Sequence, residues 1–261
     1  MTGRAAGSAN VELVRSLVAD WERGEYAATE WAHPGIEYVQ ADGPTPGRWT
    51  GVAEMGRAWG DWLSGAFEDW RVVLDEVREL DDTRVLTLGR FFGRGKTSGL
   101  ELGDGLGTRG ASLFEIEDGR VAKLVIYWNQ ERALAVARLA SEGASAYTEG
   151  GVDAMAEAWH DDVVYEEDPR WPGAGTYRGR SAVVARFREY EEQLGHGAVT
   201  AESVDERGED ILLVFRHSGV TPGADLPFEH RWAWVVQLRE GKAVHIRAFL
   251  DPEDARKASL R

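Results

Sequence analysis

Trp159-His160-Asp161-Asp162-Val163-Val164-Tyr165-Glu166-Glu167-Asp168 runs from an aromatic anchor through an alternating stretch to three consecutive acids. Successive side chains of a strand point to opposite faces, so Val163, Tyr165 and Glu167 share one face. Trp31-Ala32-His33-Pro34-Gly35-Ile36-Glu37-Tyr38-Val39-Gln40 has the same build, and its His33 stands 127 positions before His160. With that offset Tyr38 falls on Tyr165 and Gln40 on Glu167. Further along, Trp49-Thr50-Gly51 falls on Tyr177-Arg178-Gly179, and Arg90-Phe91-Phe92-Gly93 on Arg216-His217-Ser218-Gly219. Tyr127-Trp128-Asn129 matches Phe249-Leu250-Asp251. A period of this length is the size of a domain, far above that of a solenoid repeat. The chain therefore reads as a tandem duplication, with one domain over 1–139 and the second over 140–261.

Both copies show the same order of elements. In the first, Val14, Leu17, Val18 and Trp21 follow the i, i+3, i+4, i+7 spacing of an apolar helix face, and Gly24 ends it. A short second helix is expected before His33, then the strand Ile36 to Gln40. A helix carries Val52, Met55, Trp59, Trp62 and Ala66. Strands follow at Trp70 to Val77, Arg84 to Phe92 and Ala111 to Glu117, and Asp118-Gly119 turns into Val121 to Trp128. The second copy opens after a short linker at Ala140 to Ser145 with a helix at Ala154 to Trp159. Its strand Val163 to Glu167 is followed by a helix face of Val183, Phe187, Tyr190 and Leu194. Strands at Ala198 to Val204, Ile211 to His217 and Arg231 to Leu238 come next, and Glu240-Gly241 turns into Val244 to Leu250.

Composition narrows the function classes. With 45 acidic against 30 basic residues the net charge is −15, and Arg and Lys are scattered rather than clustered. A phosphate backbone is held by clustered cations, so no nucleic-acid partner is expected. No apolar run reaches the roughly 18 residues of a membrane span, and Met1 to Asn10 lacks an apolar signal core, so a cytoplasmic protein is expected. The absence of Cys removes disulfides, thiolate nucleophiles and Cys-based metal sites. The six His are isolated, with no metal-ligand spacing, and no metal or cofactor is expected. Gly105-Leu-Gly107-Thr-Arg-Gly110 matches a dinucleotide fingerprint but runs into a strand instead of opening a helix. Gly95-Lys96-Thr97 resembles the end of a phosphate-binding loop, yet the required first glycine falls on Arg90.

Helices, a strand, a helix and a run of antiparallel strands imply an α+β domain with helices packed on one face of a curved sheet. The run Trp159 to Val163, continued through Gly173-Ala174-Gly175-Thr176-Tyr177-Arg178-Gly179, resembles the NTF2-like superfamily and its SnoaL-like group. The last hairpin, Gly241-Lys242-Ala243-Val244-His245-Ile246-Arg247-Ala248-Phe249, is similar to that group's ending. The resemblance implies two cone-shaped domains, each enclosing an apolar cavity, in a superfamily that holds isomerases, hydrolases, dehydratases, cyclases and many non-enzymes. A shared fold does not choose among them.

The acids of the second copy are the leading chemistry. If the face of Tyr165 and Glu167 lines a cavity, a poorly solvated carboxylate is raised toward the range of a general acid or base. The resemblance to ketosteroid isomerase implies such a base near this point. An ungapped match puts it on Glu167, whereas an Asp-Pro match puts it on Asp168-Pro169. That enzyme's tyrosine and protonated aspartate match Gly143 and Trp234, which argues against steroid isomerisation. Arg216 or His230 would polarise an oxygen, and Tyr165, Trp171, Tyr177, Trp232 and Trp234 would shape the pocket, with Arg247 near its rim. Arg247 and Asp251 share a parity and suit a salt bridge. In the first copy Tyr38, Trp49, Trp59 and Tyr127 would line a cavity, with Trp62 and Trp128, but Gln40 cannot accept a proton. A Trp-rich helical stripe also suits a filled core. The expected ligand is a small apolar or planar, oxygenated molecule, either transformed by cofactor-independent acid/base chemistry or bound by a non-catalytic scaffold. The two copies would form an intrachain pseudo-dimer.

Overall fold

The computed structural model describes residues 8–99, 101–102, 108–195, 197–221, 223 and 226–259. Gly105 and Gly107 of the dinucleotide-like motif, and Met1 to Gly7, lie outside the described residues, as does the side chain of Leu194. The chain divides into two compact units, Met1–Ala133 and Leu134–Arg261.

Unit 1 opens with α1 (Ala9–Glu22), which buries the stripe Val11, Val14, Leu17, Val18 and Trp21. The Ser8 hydroxyl accepts from Val11 N at 3.2 Å and caps its start, while Gly24 at φ 82° breaks the helical path. β1 (Ala32–Gln40), β2 (Gly47–Thr50) and α2 (Val52–Gly60) follow, and a π-helical turn over Asp61–Ala66 extends α2. β3 (Phe67–Glu79), β4 (Arg84–Gly95), the two-residue β5 (Glu101–Leu102), β6 (Arg109–Glu117) and β7 (Arg120–Tyr127) complete the unit. The sheet order is β2-β1-β7-β6-β4-β3, with β5 on β4; β1 and β7 are parallel and the other pairs antiparallel.

α3 (Gln130–Ala137), a π-helical turn (Arg138–Glu142) and α4 (Gly143–Met155) then follow one another, with a kink inside α4 at Gly151, φ 70°. The expected linker at Ala140 to Ser145 is helical, continuing the run Gln130 to Leu139, which is rich in Ala, Leu and Arg, all strong helix formers. The helix expected at Ala154 to Trp159 ends by Met155 and passes through a 3₁₀ turn (Ala156–Ala158) into β8 (Trp159–Glu166). β9 (Thr176–Arg178), α5 (Arg180–Leu194), β10 (Ala198–Arg207), β11 (Asp210–Val220), β12 (Pro227–Arg239), β13 (Lys242–Phe249) and α6 (Pro252–Ala258) follow. The second sheet runs β10-β11-β12-β13-β8-β9, the mirror listing of the first, and β13 and β8 are its parallel pair. Bulges at Ala201/Ser203 and Gln237/Leu238 bend its strands.

The duplication is visible bond by bond. His33 Nδ1 accepts from Gly35 N, and His160 Nδ1 from Asp162 N, both at 3.1 Å. Tyr38 pairs with Trp49 as Tyr165 does with Tyr177. Gly51 N donates to Ile36 O at 2.7 Å and Gly179 N to Val163 O at 2.8 Å, both glycines at φ 84°. Asn129 and Asp251 each cap the helix after the last strand, accepting from Glu131 N at 3.0 Å and Glu253 N at 2.9 Å. Both closing hairpins turn through two left-handed residues, Asp118-Gly119 and Glu240-Gly241.

One expected element is missing. Residues 25–31 hold no helix; Thr29 N donates to the Glu30 carboxylate at 3.0 Å and the Trp31 indole to Ala28 O at 2.8 Å. Such local side-chain bonds satisfy the backbone on a non-helical path.

In unit 2, α5 covers the sheet face that carries Trp159, Val163, Tyr165, Leu213, Phe215, Trp234 and Ile246. The short α6 lays Ala255 on the opposite face, against Leu212, Val214, Ala233 and Val235. The residues that interest us lie under α5.

Candidate functional site

Strand alternation and one helix face build a cavity of about 100 Å³ inside unit 2. β8 supplies Tyr165 and leads to Glu167 and Asp168; α5 supplies Phe187 and Tyr190; β11 and β12 supply Phe215, His230 and Trp232. α4 adds Tyr147 and Met155, and Ala248 to Leu250 close the far side. The walls are therefore aromatic and aliphatic, with polar groups gathered around Glu167, Asp168 and His230.

Glu167 is buried, its side chain 2% exposed, and fully engaged. Oε1 accepts from Arg186 Nε at 2.6 Å and from the Tyr190 hydroxyl; Oε2 accepts from Gly175 N at 2.8 Å and Arg186 Nη2 at 3.5 Å. A carboxylate has about four acceptor positions, and these four bonds fill them. Arg186 packs over the Tyr190 ring at 4.5 Å and the Tyr177 ring at 5.5 Å. Burial is the largest single influence on the Arg186 cation and works against it, but the bonds to Glu167 and Glu189, with the charges of Tyr190 and Glu167, together hold the guanidinium above its ordinary value. Burial, followed by the bond to Glu167, pushes the Tyr190 phenol well above its usual range. Burial and then the charges of Tyr190 and Glu167 do the same to Tyr165. Both phenols keep their protons at neutral pH.

Asp168 is held differently. It accepts from Arg170 Nε at 2.9 Å, Arg170 Nη2 at 2.5 Å and Arg170 N at 3.0 Å, and from Leu250 N at 2.9 Å. The Arg170 bond, opposed by burial, keeps its carboxyl well below the carboxylate range. Asp42 makes the same link in unit 1, accepting from Trp128 N at 2.5 Å and Asn129 N at 3.1 Å. Each acid fastens the end of its unit's first strand to the end of its last. Asp168 lines the cavity as a clamp.

His230 makes no hydrogen bond among the described residues, and its ring sits 5.2 Å from that of His217 across the β11–β12 ladder. Burial lowers its pKa below the usual histidine value, so the imidazole is neutral at pH 7.

Of the residues named from sequence, Glu167, Asp168, His230, Tyr165, Trp171 and Trp232 meet at this cavity. Trp234, 1% exposed, stands behind its wall against Phe215, Trp232 and Tyr165. Tyr177, Arg216 and Arg247 do not line it. Arg216 alternates with Phe215 and His217, so it turns to the outer face, 46% exposed beside Glu202 and Glu229 at 3.7 Å each. Its counterpart Arg90 is equally exposed, paired with Asp75 at 3.0 Å. Arg247 bonds Asp210 at 3.3 Å, and Asp251 instead caps α6. Arg186, the partner of Glu167, was not singled out from sequence. Its signal was its spacing, three after Val183 and four before Tyr190, which puts a charge on the apolar face.

Unit 1 is filled. Its interior space is about 30 Å³, lined by Trp21, Tyr26, Trp59, Trp62, Trp70 and neighbouring residues. Tyr38 stacks on Trp49 at 5.4 Å, and its hydroxyl accepts from Gln40 Nε2 at 2.8 Å. Burial pushes the Tyr38 phenol up to about 12. Neither Tyr38 nor Trp49 borders the space, and Tyr127 alternates with Ile126 onto the other face of β7. Sheet register equates Ile126 with Ala248, and the glycines preceding α2 and α5 equate Ala58 with Arg186 and Trp62 with Tyr190. Glu167, Arg186 and Tyr190 are thus replaced together, by Gln40, Ala58 and Trp62.

Two units with one strand order, each an open sheet covered by a helix, define a tandem pair of α+β domains. The family model described as SnoaL-like domain matches residues 14–124 and 141–246, and the chain belongs to that family. A search of curated proteins finds no match. Among solved structures, an NTF2-like protein from Burkholderia thailandensis E264 is similar at 26% identity over 49% of this chain and 95% of that one, TM-score 0.40. An NTF2-like protein of unknown function from Burkholderia pseudomallei K96243 matches at 16% identity, 49% and 97% coverage and TM-score 0.40. A hypothetical protein from Catenulispora acidiphila DSM 44928 with a ketosteroid isomerase-like fold, in complex with trimethylamine, matches at 17% identity, 46% and 85% coverage and TM-score 0.37.

Proposed function

We propose that the protein binds a small, mainly apolar molecule bearing an oxygen, in the cavity of unit 2, and that unit 1 is a filled partner domain. The observation that carries this is the contrast between the two interiors, about 100 Å³ against about 30 Å³. A closed apolar cavity of about 150 Å³ takes up benzene, so the space in unit 2 is of the order that suits a small ring. The polar groups at one end then orient the occupant's oxygen.

Cyclase, epoxide hydrolase, dehydratase and isomerase chemistry all need a proton acceptor with a free lone pair. Glu167 has none while Arg186, Tyr190 and Gly175 hold it, so proton transfer at this site is assigned to neutral His230. Binding without turnover is the second reading, favoured by that same saturation of Glu167. Two copies in one chain are proposed to replace a homodimer, and the protein is expected to run as a 28.9 kDa monomer by light scattering.

Native mass spectrometry of the protein purified from its own host tests the binding reading: an adduct lost in Ala248→Phe supports it, and one retained in that variant contradicts it. If incubation changes the mass or, for an isomer, the NMR spectrum of the released ligand, and His230→Ala stops the change, the site is catalytic. A ligand released with both mass and spectrum unchanged supports binding alone.

A further inference from the structure

An oxygen buried in the unit 2 cavity needs a hydrogen-bond donor, and most donors around the cavity are already spent. Three tyrosines line it. Tyr190 gives its proton to Glu167, Tyr165 to Tyr190 and Tyr147 to Glu191. Leu250 N and the Arg170 guanidinium serve Asp168. Arg186 serves Glu167, Glu189 and the Tyr190 oxygen. The side of the cavity built by β8 and α5 thus satisfies itself. His230, Trp171 and Trp232 are different: their rings line the same space, and their ring nitrogens bond to no described residue.

Two of these three stand on β12, which β13 separates from β8 in the sheet. His230 and Trp232 are two residues apart and share a face. Trp232 stacks on Phe215 at 4.5 Å, and His230 sits edge-on to His217 at 5.2 Å. The internal repeat shows that this row belongs with the larger space. Arg90 lies opposite Arg109 in unit 1 as Arg216 lies opposite Arg231 in unit 2. Unit 1 therefore has Thr108 in place of His230 and Gly110 in place of Trp232. Phe91 covers the bare Gly110 so closely that a Cβ would stand 2.1 Å from its ring. Where aromatic packing fills the interior, the row of ring N–H donors is gone.

We propose that the ligand's oxygen is held as a hydrogen-bond acceptor, a carbonyl or ether oxygen, by His230 on the β12 wall, and that the Glu167–Asp168 side shapes the cavity without touching that oxygen. The inference rests on the small-molecule reading above and deepens it. A neutral imidazole carries its one proton on either nitrogen, so whichever nitrogen faces the ligand can donate. A carbonyl or ether oxygen takes that bond and brings no proton of its own to be placed among carboxylates that already accept four bonds each.

Cyclopentanone and methylenecyclopentane, which differ in an oxygen against a methylene group, test it by NMR titration of the full chain. Their different hydration cancels when the ratio of the two affinities is compared between variants. His230→Leu is expected to weaken the ketone about fivefold relative to the hydrocarbon, the worth of one net hydrogen bond. His230→Gln, which keeps an N–H, should hold most of the wild-type ratio. The carbonyl carbon resonance of the bound ketone should lie downfield in the wild type and move upfield in His230→Leu. A ratio and a carbonyl resonance unchanged in His230→Leu overturn the docking and leave the binding reading standing. If that variant does not fold, nuclear Overhauser contacts in the wild type decide. Contacts from the ketone's α-protons to the His230 ring support the proposal, and contacts to the Tyr165 and Tyr190 rings alone overturn it. If neither compound binds the wild-type protein, the binding reading falls and takes the docking with it.

Discussion

At the scale of single residues, two neighbouring acids do different work. Asp168 is a clamp, repeated by Asp42, and its carboxyl is held low by Arg170 first and by the backbone N–H groups of Arg170 and Leu250. A carboxyl depressed in the folded state contributes stability that is present above its unfolded pKa of about 4 and is lost as pH falls through the folded value. Urea unfolding followed by tryptophan fluorescence should show wild-type stability falling as the pH drops below about 4, with a flatter acid limb in Asp168→Asn. Glu167 is the anchor of a buried pair, and Arg186→Ala should cost about 3–5 kcal/mol by leaving its charge unpaired. Alternation made Glu167 legible as an inward-facing acid. Its saturation was not legible, since it depends on Arg186 reaching across from a helix 19 residues away in sequence. Arg216 was misplaced for a related reason: parity separates it from Phe215 and His217, but only packing shows which face is inside.

At the scale of elements, α5 and α2 are the same helix carrying different cargo. Both start at a glycine with φ 84° and an extended ψ, a conformation essentially closed to other residues. Gly51→Ala and Gly179→Ala should each lower stability by about 1–3 kcal/mol in chemical denaturation, the backbone having no relaxed alternative. Giving α5 and β8 the unit 1 set, Glu167→Gln with Arg186→Ala and Tyr190→Trp, should recover much of what Arg186→Ala alone loses, because no charge is left buried. Double- and triple-variant unfolding curves would expose a failure of this coupling. Strand and hairpin positions were readable because alternation and the Asp-Gly and Glu-Gly turns are local signals. The helix before His33 and the linker at Ala140 were misread where short polar runs meet strong helix formers, and tertiary packing settles such ambiguous stretches.

At the scale of the whole chain, duplication supplied two interiors, and among the described residues the space in unit 2, about 100 Å³, exceeds the about 30 Å³ in unit 1. The internal period was legible because the repeated residues sit at structural points: histidine at the strand start, glycine before the helix, and a capping Asn or Asp after the last strand. Which interior was open could not be read, because eleven tryptophans suit a core and a pocket equally well until their packing is seen. Ile126 in unit 1 and Ala248 in unit 2 mark the difference at one equivalent site. Ala248→Ile fills space without adding a polar group and should raise thermal stability by about 0.5–2 kcal/mol. The same change should close the binding site. The most direct measurement of the central claim is therefore cyclopentanol binding, by NMR titration, to the wild-type chain and to Ala248→Ile. One equivalent bound by the wild type and none by the variant is the predicted result; one equivalent still bound by Ala248→Ile would place the ligand elsewhere and contradict the account.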